Sequence, residues 1–248
     1  MSCTMEALII AAGYGSRLRG ISESKPLTPV AGVPLLELGI RQAAAAGARR
    51  AVVVTGHQAA AVEAVLPALA DRAGIPVAAQ RIDDWSKPNG FSVMAGAARI
   101  DGDYLLMMAD HIFSAAILQR LAGQGGPTRG VTLAIDRRVT SPLIDPDDAT
   151  WVSTDDAGFI RAIGKTILQY DAVDCGAFLA TAELAAAIAA AVQAGKPGSL
   201  SDGMQRLADQ GRAATMDIGE AWWLDVDDPR AHALAEAQAP VQLREIYG

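Results

Sequence analysis

The stretch Leu8-Ile-Ile-Ala-Ala-Gly13-Tyr-Gly15-Ser-Arg17-Leu18, with Lys25-Pro-Leu-Thr-Pro-Val-Ala-Gly32 shortly after it, decides how this chain is read. An apolar run over residues 7–11 stops at a glycine-rich turn, as a buried strand does when it delivers a loop at its C-terminal end. Ala11, Ala12, Gly13, Tyr14, Gly15 and Ser16 present backbone N–H groups there, and successive N–H groups in a turn make an anion-binding nest. Arg17 follows at once. Pro26 and Pro29 stiffen the backbone around Lys25, which suits a positioned cation better than a mobile one. Free amides and two cations around one small volume suit a triphosphate. The dinucleotide pattern G-x-G-x-x-G does not fit, because its third glycine falls on Leu18 and no acidic residue ends a second strand about 20 residues on. The P-loop pattern fails as well, since no Gly-Lys-Ser/Thr follows.

Outward from this loop, strand-like and helix-like runs alternate. Residues 51–55, 75–80 and 104–109 read as strands; 35–46, 59–73, 90–99 and 114–121 read as helices, two of them ended by Gly47 and Gly74. Continuous apolar strands in a βαβα order imply an α/β fold: a Rossmann-like, mixed but mainly parallel sheet flanked by helices. The rhythm changes after Gly130. Strands are expected at 131–135, 150–153, 159–163, 175–180 and 213–217, with Asp155-Asp-Ala-Gly158 turning a hairpin. Helices are expected at 181–194, at 200–210 and from Pro229. No Ser/Gly/Pro-rich linker divides the chain, so one domain over 1–248 is expected, with a nucleotide-binding half (1–129) and an acceptor-binding half (130–248).

The 248 residues are 51% hydrophobic and 20% charged, enough to bury a sizeable core, and the net charge is −7. That balance argues against a nucleic-acid or anionic-membrane surface. Cys3 and Cys175 form no spaced framework, which fits reduced thiols. With no signal segment and no apolar run long enough to span a bilayer, a cytoplasmic protein without membrane insertion is expected.

A second motif is Tyr104-Leu-Leu-Met-Met-Ala-Asp110-His111. Asp110 ends a buried strand, where open α/β sheets bind ligands. A carboxylate facing a triphosphate needs a cation between them, and Mg²⁺ held by one or two carboxylates and phosphate oxygens is the usual solution; the competing role is a helix cap. His111 either orients a phosphate or borders the site.

The long pattern from Ala11 to Arg17 and from Lys25 to Leu36 resembles the sugar-phosphate nucleotidyltransferase (NTP transferase) superfamily. The resemblance implies the nucleotide-diphospho-sugar transferase fold, a loop that holds base and triphosphate, and catalytic roles for Arg17 and Lys25 on the phosphates. It implies a second metal carboxylate at Asp225 in Trp222-Trp-Leu-Asp225-Val-Asp227-Asp-Pro229, with Asp227 as a neighbouring ligand or, like Asp228, a cap for the next helix. It also implies that Asn89, Gly90 and Ser92 line base and ribose, with Gln80 reading the base.

Within that superfamily, Val131-Thr-Leu-Ala-Ile-Asp136, Asp145-Pro-Asp-Asp-Ala-Thr, Ile163-Gly-Lys165 and Tyr170-Asp-Ala-Val-Asp174-Cys-Gly176 resemble the inositol-1-phosphate cytidylyltransferases. The resemblance implies an Mg²⁺-dependent joining of CTP and a phosphorylated alcohol, inositol 1-phosphate foremost, giving a CDP-alcohol and pyrophosphate. Lys165, Asp174, Gly176, Asp136 and His111 would meet the acceptor. The acid-rich strip Asp136, Asp145, Asp147, Asp148 and Asp174 either serves a polyol's hydroxyls or is a solvated loop. Many such enzymes are fused to a membrane CDP-alcohol transferase, which here would be a separate protein; a homodimer stays open. The competing readings are another acceptor (phosphocholine, a phosphonate, glycerol phosphate or a hexose 1-phosphate) and a non-catalytic nucleotide-binding subunit.

Overall fold

Ala7 to Ala11 lack any polar alternation because both faces of their strand are covered. Leu8 and Ile10 enter one apolar cluster, and Ala7, Ile9 and Ala11 enter another on the opposite side. The computed structural model describes residues 5–126 and 128–247; Cys3 lies outside them. The first half runs β1 (Glu6–Ala11), β2 (Pro29–Val30), β3 (Val33–Pro34), α1 (Leu35–Ala45), β4 (Ala51–Thr55), α2 (Ala59–Ala73), β5 (Val77–Arg81), α3 (Gly90–Ala97), β6 (Tyr104–Met108), β7 (His111–Phe113) and α4 (Ala115–Ala122). The second half runs β8 (Val131–Asp136), β9 (Trp151–Thr154), β10 (Ile160–Gly164), β11 (Ala172–Ala180), α5 (Ala182–Gln193), α6 (Leu200–Ala208), β12 (Ala213–Asp217), β13 (Trp223–Asp225), α7 (Pro229–Gln242) and α8 (Arg244–Tyr247).

The main sheet has the order β10-β9-β11-β6-β1-β4-β5, with β8 added on β11 and β12 on β8. β6, β1, β4 and β5 are parallel, and so are β8 and β12. β11 runs antiparallel to β6, β8 and β9, and β9–β10 is the hairpin expected across Asp155–Gly158. The sheet is therefore mixed and mainly parallel, as the βαβα rhythm implied. α1, α2 and α4 cover one face through residues such as Ile40, Leu66 and Leu118. α3, α5 and α6 cover the other through Val93, Ile188 and Met204.

Two features position the site. After β5 the chain returns to the far side of β1 to add β6, so the strand order reverses between β1 and β6. The crevice beyond the carboxyl ends of two such strands is where open α/β sheets hold ligands. The second feature is a short antiparallel ribbon of β7 and β13, in which Asp225 pairs with His111 and Trp223 with Phe113. A third apolar cluster, with Leu18, Leu35, Ile112, Leu224 and Ala239, fastens that ribbon and α7 beneath the glycine-rich loop. No helix among the described residues is long and apolar enough to cross a membrane.

Candidate active site

The glycine-rich loop ends in a tight turn over Ser16–Leu18. Gly15 has φ +60°, and the Lys25 side chain occupies the place a Cβ on Gly15 would take, so glycine is required on both counts. Leu18 is fully buried, which anchors the turn and leaves Arg17 exposed. Pro26 is buried in the turn Lys25–Leu27, and Lys25 is only 11% exposed. The prolines thus hold the lysine in place, as their spacing suggested. Lys25 Nζ donates to Asp110 Oδ2 at 2.5 Å and to Asp227 Oδ1. Arg17 donates to Asp148 Oδ2 at 2.6 Å and to Asp227 Oδ2.

The carboxylates come from three segments. Asp110 follows β6, and its carbonyl accepts from Val226 N–H at 2.9 Å, which fastens the end of β13 to it. The ribbon register then sets Asp225 beside His111. Asp228 is the helix cap: its side chain accepts from Ala231 N–H at 2.7 Å at the start of α7. That leaves Asp227 to face the cations. Asp110 is not a cap, since α4 begins after Ser114. Asp148, from the segment before β9, accepts from both Arg17 and Lys165.

The electrostatics of the cluster are uneven. Burial pushes Asp110 up, but Lys25 and His111 outweigh it and hold its carboxyl below the ordinary range. Burial pushes His111 down, yet Asp225 and Asp110 lift it to about 9, so it is an imidazolium at neutral pH. Burial raises Asp174 to about 6, against the bond that its Oδ1 accepts from Gly176 N–H at 2.7 Å. Burial also raises Asp225, whose Oδ1 is buried with no hydrogen-bond partner.

Among the described residues, two sets of possible ligands have their atoms within 4.8 Å of one another: Asp110, His111 and Asp225, and Asp148, Asp225 and Asp227. The second set is all oxygen, the donor type that suits a hard divalent cation. A cation beside the unpartnered Asp225 oxygen would also relieve its desolvation. The donor chemistry therefore fits a divalent metal.

Two clefts meet at this cluster. One is lined by Ala11, Ala12, Gly13, Gly15, Ser16, Lys25 and Ser92. The other is lined by His111, Asp174, Gly176, Trp223 and Asp225. Arg17, Asn89, Asp110, Asp148, Lys165 and Asp227 line both. The structure thus brings together the loop, the two cations, the three carboxylates and most of the acceptor-side residues expected from the sequence.

Four expected residues stand elsewhere. Asp136 is 2% exposed, and both its oxygens are engaged by Arg138 and by the Trp223 indole, so it has no face free for an acceptor. Gln80 lies outside both clefts and donates to Arg81 O at 3.0 Å. Gly90 is buried where α3 meets the chain at Gly198 and Ile188, so close packing accounts for this glycine. Tyr14 lies outside both clefts; its ring stacks on Trp85 with centroids 5.6 Å apart, and Arg19 covers it at 4.0 Å. Asn89 lines the clefts while its Oδ1 accepts from Leu200 N–H at 2.9 Å, capping α6 rather than α3.

Sequence reasoning left Asp148 between polyol contact and solvated loop, and read the tryptophans as packing. Asp148 belongs to the charge cluster, and the Trp223 ring stacks on His111 with centroids 6.0 Å apart. The run Asp145-Pro-Asp-Asp148 marks the segment as acidic, but nothing local says which carboxylate turns inward.

The family model for the MobA-like NTP transferase domain matches residues 7–200. This chain belongs to that family. Like the family, it is a nucleotidyltransferase, and its loop, Lys25 and Asp110 all lie within the matched span. It is 33% identical over 233 residues, 93% of this chain and 51% of the other, to a bifunctional IPC transferase and DIPP synthase of Rubrobacter xylanophilus. It is 31% identical over 245 residues, 91% of this chain and 37% of the other, to a CMP-5'-(3-aminopropyl)phosphonate synthase of Streptomyces rubellomurinus. The chain spans about half the length, or less, of these curated relatives. Its fold matches the inositol-1-phosphate CTP transferase of T. maritima with a TM-score of 0.79 at 22% identity, covering 98% of both chains.

Proposed function

We propose that this NTP transferase is a cytidylyltransferase that uses Mg²⁺ to join CTP to a phosphorylated polyol, inositol 1-phosphate foremost, releasing pyrophosphate. The observation that carries the reading is the meeting of the two clefts at Arg17, Asp110, Asp148, Lys165 and Asp227. A triphosphate on the loop and a phosphate in the second cleft would face each other there. The similarity to a relative named for IPC transfer supports the base and acceptor.

In the proposed reaction an acceptor phosphate oxygen attacks the α-phosphorus in line, the new P–O bond forms, and the bond to the β-phosphate breaks. The loop amides and Arg17 hold the β- and γ-phosphates and stabilise the leaving pyrophosphate. Lys25, released from its carboxylates, neutralises charge gathering at the α-phosphorus. Lys165 holds the acceptor phosphate, and Asp174 accepts from acceptor hydroxyls. Asp225 and Asp227, with Asp110 and Asp148 beside them, would hold Mg²⁺, which when bound would supply positive charge to offset that of the phosphates. The nucleophile is already ionised near neutral pH, so no side chain needs to remove a proton.

The test is pyrophosphate release with four NTPs against inositol 1-phosphate, glycerol phosphate, phosphocholine, an aminoalkyl phosphonate and glucose 1-phosphate. Release requiring CTP, Mg²⁺ and inositol 1-phosphate together supports the proposal. Equal release with all four NTPs rejects the cytidylyl reading. Preference for the phosphonate would assign the chemistry of the Streptomyces relative.

A further inference from the structure

Asp136 lies at the end of β8, in the main sheet, and its carboxylate is 2% exposed. A buried carboxylate is costly unless every oxygen is occupied. Here Oδ1 accepts from Arg138 N–H at 2.8 Å and Nε at 2.9 Å, and Oδ2 accepts from Arg138 Nη2 at 2.9 Å and from Trp223 Nε1 at 2.8 Å. Arg138 Nη2 also donates to the carbonyl of Ala221 at 2.8 Å. The pair therefore grips residues 221 and 223, the approach to Asp225, from a rigid strand. The gripped Trp223 in turn lays its ring on His111, 6.0 Å between centroids and 15° from parallel. His111 Nδ1 is 2.8 Å from Asp110 Oδ1 and 3.7 Å from Asp225 Oδ1.

Besides this grip, the ribbon is held by the short run from β6 into β7, by Gln42 Nε2 donating to Phe113 O, and by the apolar packing of Phe113 and Trp223. It pairs only with itself, and two short strands are marginal alone. Asp225 reaches the cluster through a side chain on that ribbon, so its placement depends on what holds the ribbon. Outer partners that orient metal-binding groups matter in this way in metal sites generally.

We propose that Asp136 is a positioning residue: through Arg138 and the Trp223 indole it locks the β7–β13 ribbon to the main sheet, and so sets Asp225, beside His111, where its carboxylate takes a divalent cation. The part concerning the cation rests on the metal reading above; the lock itself does not.

Trp223→Phe keeps a six-membered ring near His111 but removes the N–H bond to Asp136 together with part of the indole, and it is the first variant. Asp136→Asn, which also disturbs Arg138, is the second. On the full chain without ligand, hydrogen exchange is measured at the amides of 111–113 and 223–226, with β1, β4 and β6 as internal reference. Mn²⁺ affinity of the protein alone is measured by calorimetry, and KM is measured for Mg²⁺ and for CTP. The expected result is a tenfold or greater rise in exchange confined to the ribbon. Mn²⁺ affinity and Mg²⁺ activation should weaken by about tenfold, the lower end of the effect of outer partners, with KM for CTP within twofold of wild type. A purely structural role would raise exchange in the reference strands as much as in the ribbon and would leave the Mn²⁺ affinity of the folded fraction unchanged; that outcome overturns the proposal. Unchanged ribbon exchange in Trp223→Phe overturns it too. If wild-type protein takes up no Mn²⁺ at all, the metal reading fails by itself, and the exchange pattern still decides the lock.

Discussion

Asp225 stands directly opposite His111 in the β7–β13 ribbon, and Asp110 immediately precedes His111. One imidazolium therefore sits between two carboxylates that come from different halves of the chain, one after β6 and one at the end of β13. The arrangement keeps a concentration of negative charge from repelling itself while leaving one oxygen, Asp225 Oδ1, without a hydrogen-bond donor. Carboxylates gathered at this density on one side of a glycine-rich anion nest match a phosphate-bridging cation better than an isolated cap or packing role.

Asp110 is coupled to the cation beside the loop through Lys25. Asp110→Asn keeps its shape and removes its charge. Turnover is expected to fall by about a hundred- to a thousandfold, the scale of losing one preorganised electrostatic group at a reacting centre. The circular dichroism spectrum and thermal midpoint should stay near wild type. Chelation of wild-type protein with EDTA should abolish pyrophosphate release, and added Mg²⁺ should restore it. Activity of Asp110→Asn within tenfold of wild type would remove this residue from the machinery.

Gly176 offers a test of the wall behind His111. Its φ is +74°, and a Cβ there would strike the His111 ring. It sits where the register of β11 against β8 shifts between Asp174 and Phe178, an irregularity that turns Asp174 toward the cleft. Gly176→Ala is expected to cost about 1–3 kcal/mol in backbone strain, a drop of roughly 2–12 °C in the midpoint. Because the ring must also move, kcat should fall further than the residual fold accounts for. A melting curve and a kcat that both match wild type would show that the ring tolerates the methyl group.

How much of this was legible beforehand follows from how local each signal is. The strands Ala51–Thr55 and Ala213–Asp217 and the helix Ala59–Ala73 stand where their patterns put them, because a buried apolar run or an Ala-rich run ended by glycine is set by its own residues. β11 begins at Ala172, ahead of the expected residue 175, because Ala172 and Val173 pair with β9, a contact no local pattern records. The β7–β13 ribbon was invisible for the same reason: each strand is three residues long and neither is stable without the other. Arg17, Lys25 and Asp110 were readable because loop, proline and strand-end position single them out. Asp136 and Gln80 were misplaced because a strand end says that a side chain lies near the crevice, not which way it turns.

Away from the site, Glu37 gives a pH prediction. Its carboxylate is 2% exposed on α1 and accepts from Arg41 Nη2 at 2.7 Å and from Arg72 at 2.8 and 2.7 Å. Burial raises its pKa, but the two arginines outweigh burial and leave it below the ordinary 4.5. A carboxylate depressed in the folded state stabilises the fold fully above its unfolded pKa, and that contribution is lost as pH falls through the folded value. Glu37→Gln lacks this titration. The midpoint of wild type should therefore exceed that of Glu37→Gln at pH 6–8, and the gap should close steadily below pH 4.5. A gap that is constant from pH 3 to pH 8 would show that packing, not charge, explains the difference.

On the proposed assignment of the second cleft to the acceptor, Lys165→Met separates the two substrates. Lys165 is 56% exposed and paired with Asp148 at the rim where the clefts join. An exposed pair of this kind contributes little to stability, so Lys165→Met should melt within about 2 °C of wild type. Its ammonium meets Asp148 Oδ1, whereas Arg17, from the glycine-rich loop, meets Oδ2. Loss of a charged hydrogen bond to a phosphate is worth about 1.5–3 kcal/mol, so KM for the phospho-alcohol should rise by roughly 10- to 150-fold while KM for CTP changes by less than about threefold. Arg17→Met should show the opposite preference, with the larger loss on the nucleotide side. If Lys165→Met raised both KM values equally, the lysine would serve the shared charge cluster and not the acceptor, and the assignment of the second cleft to the acceptor would need another anchor.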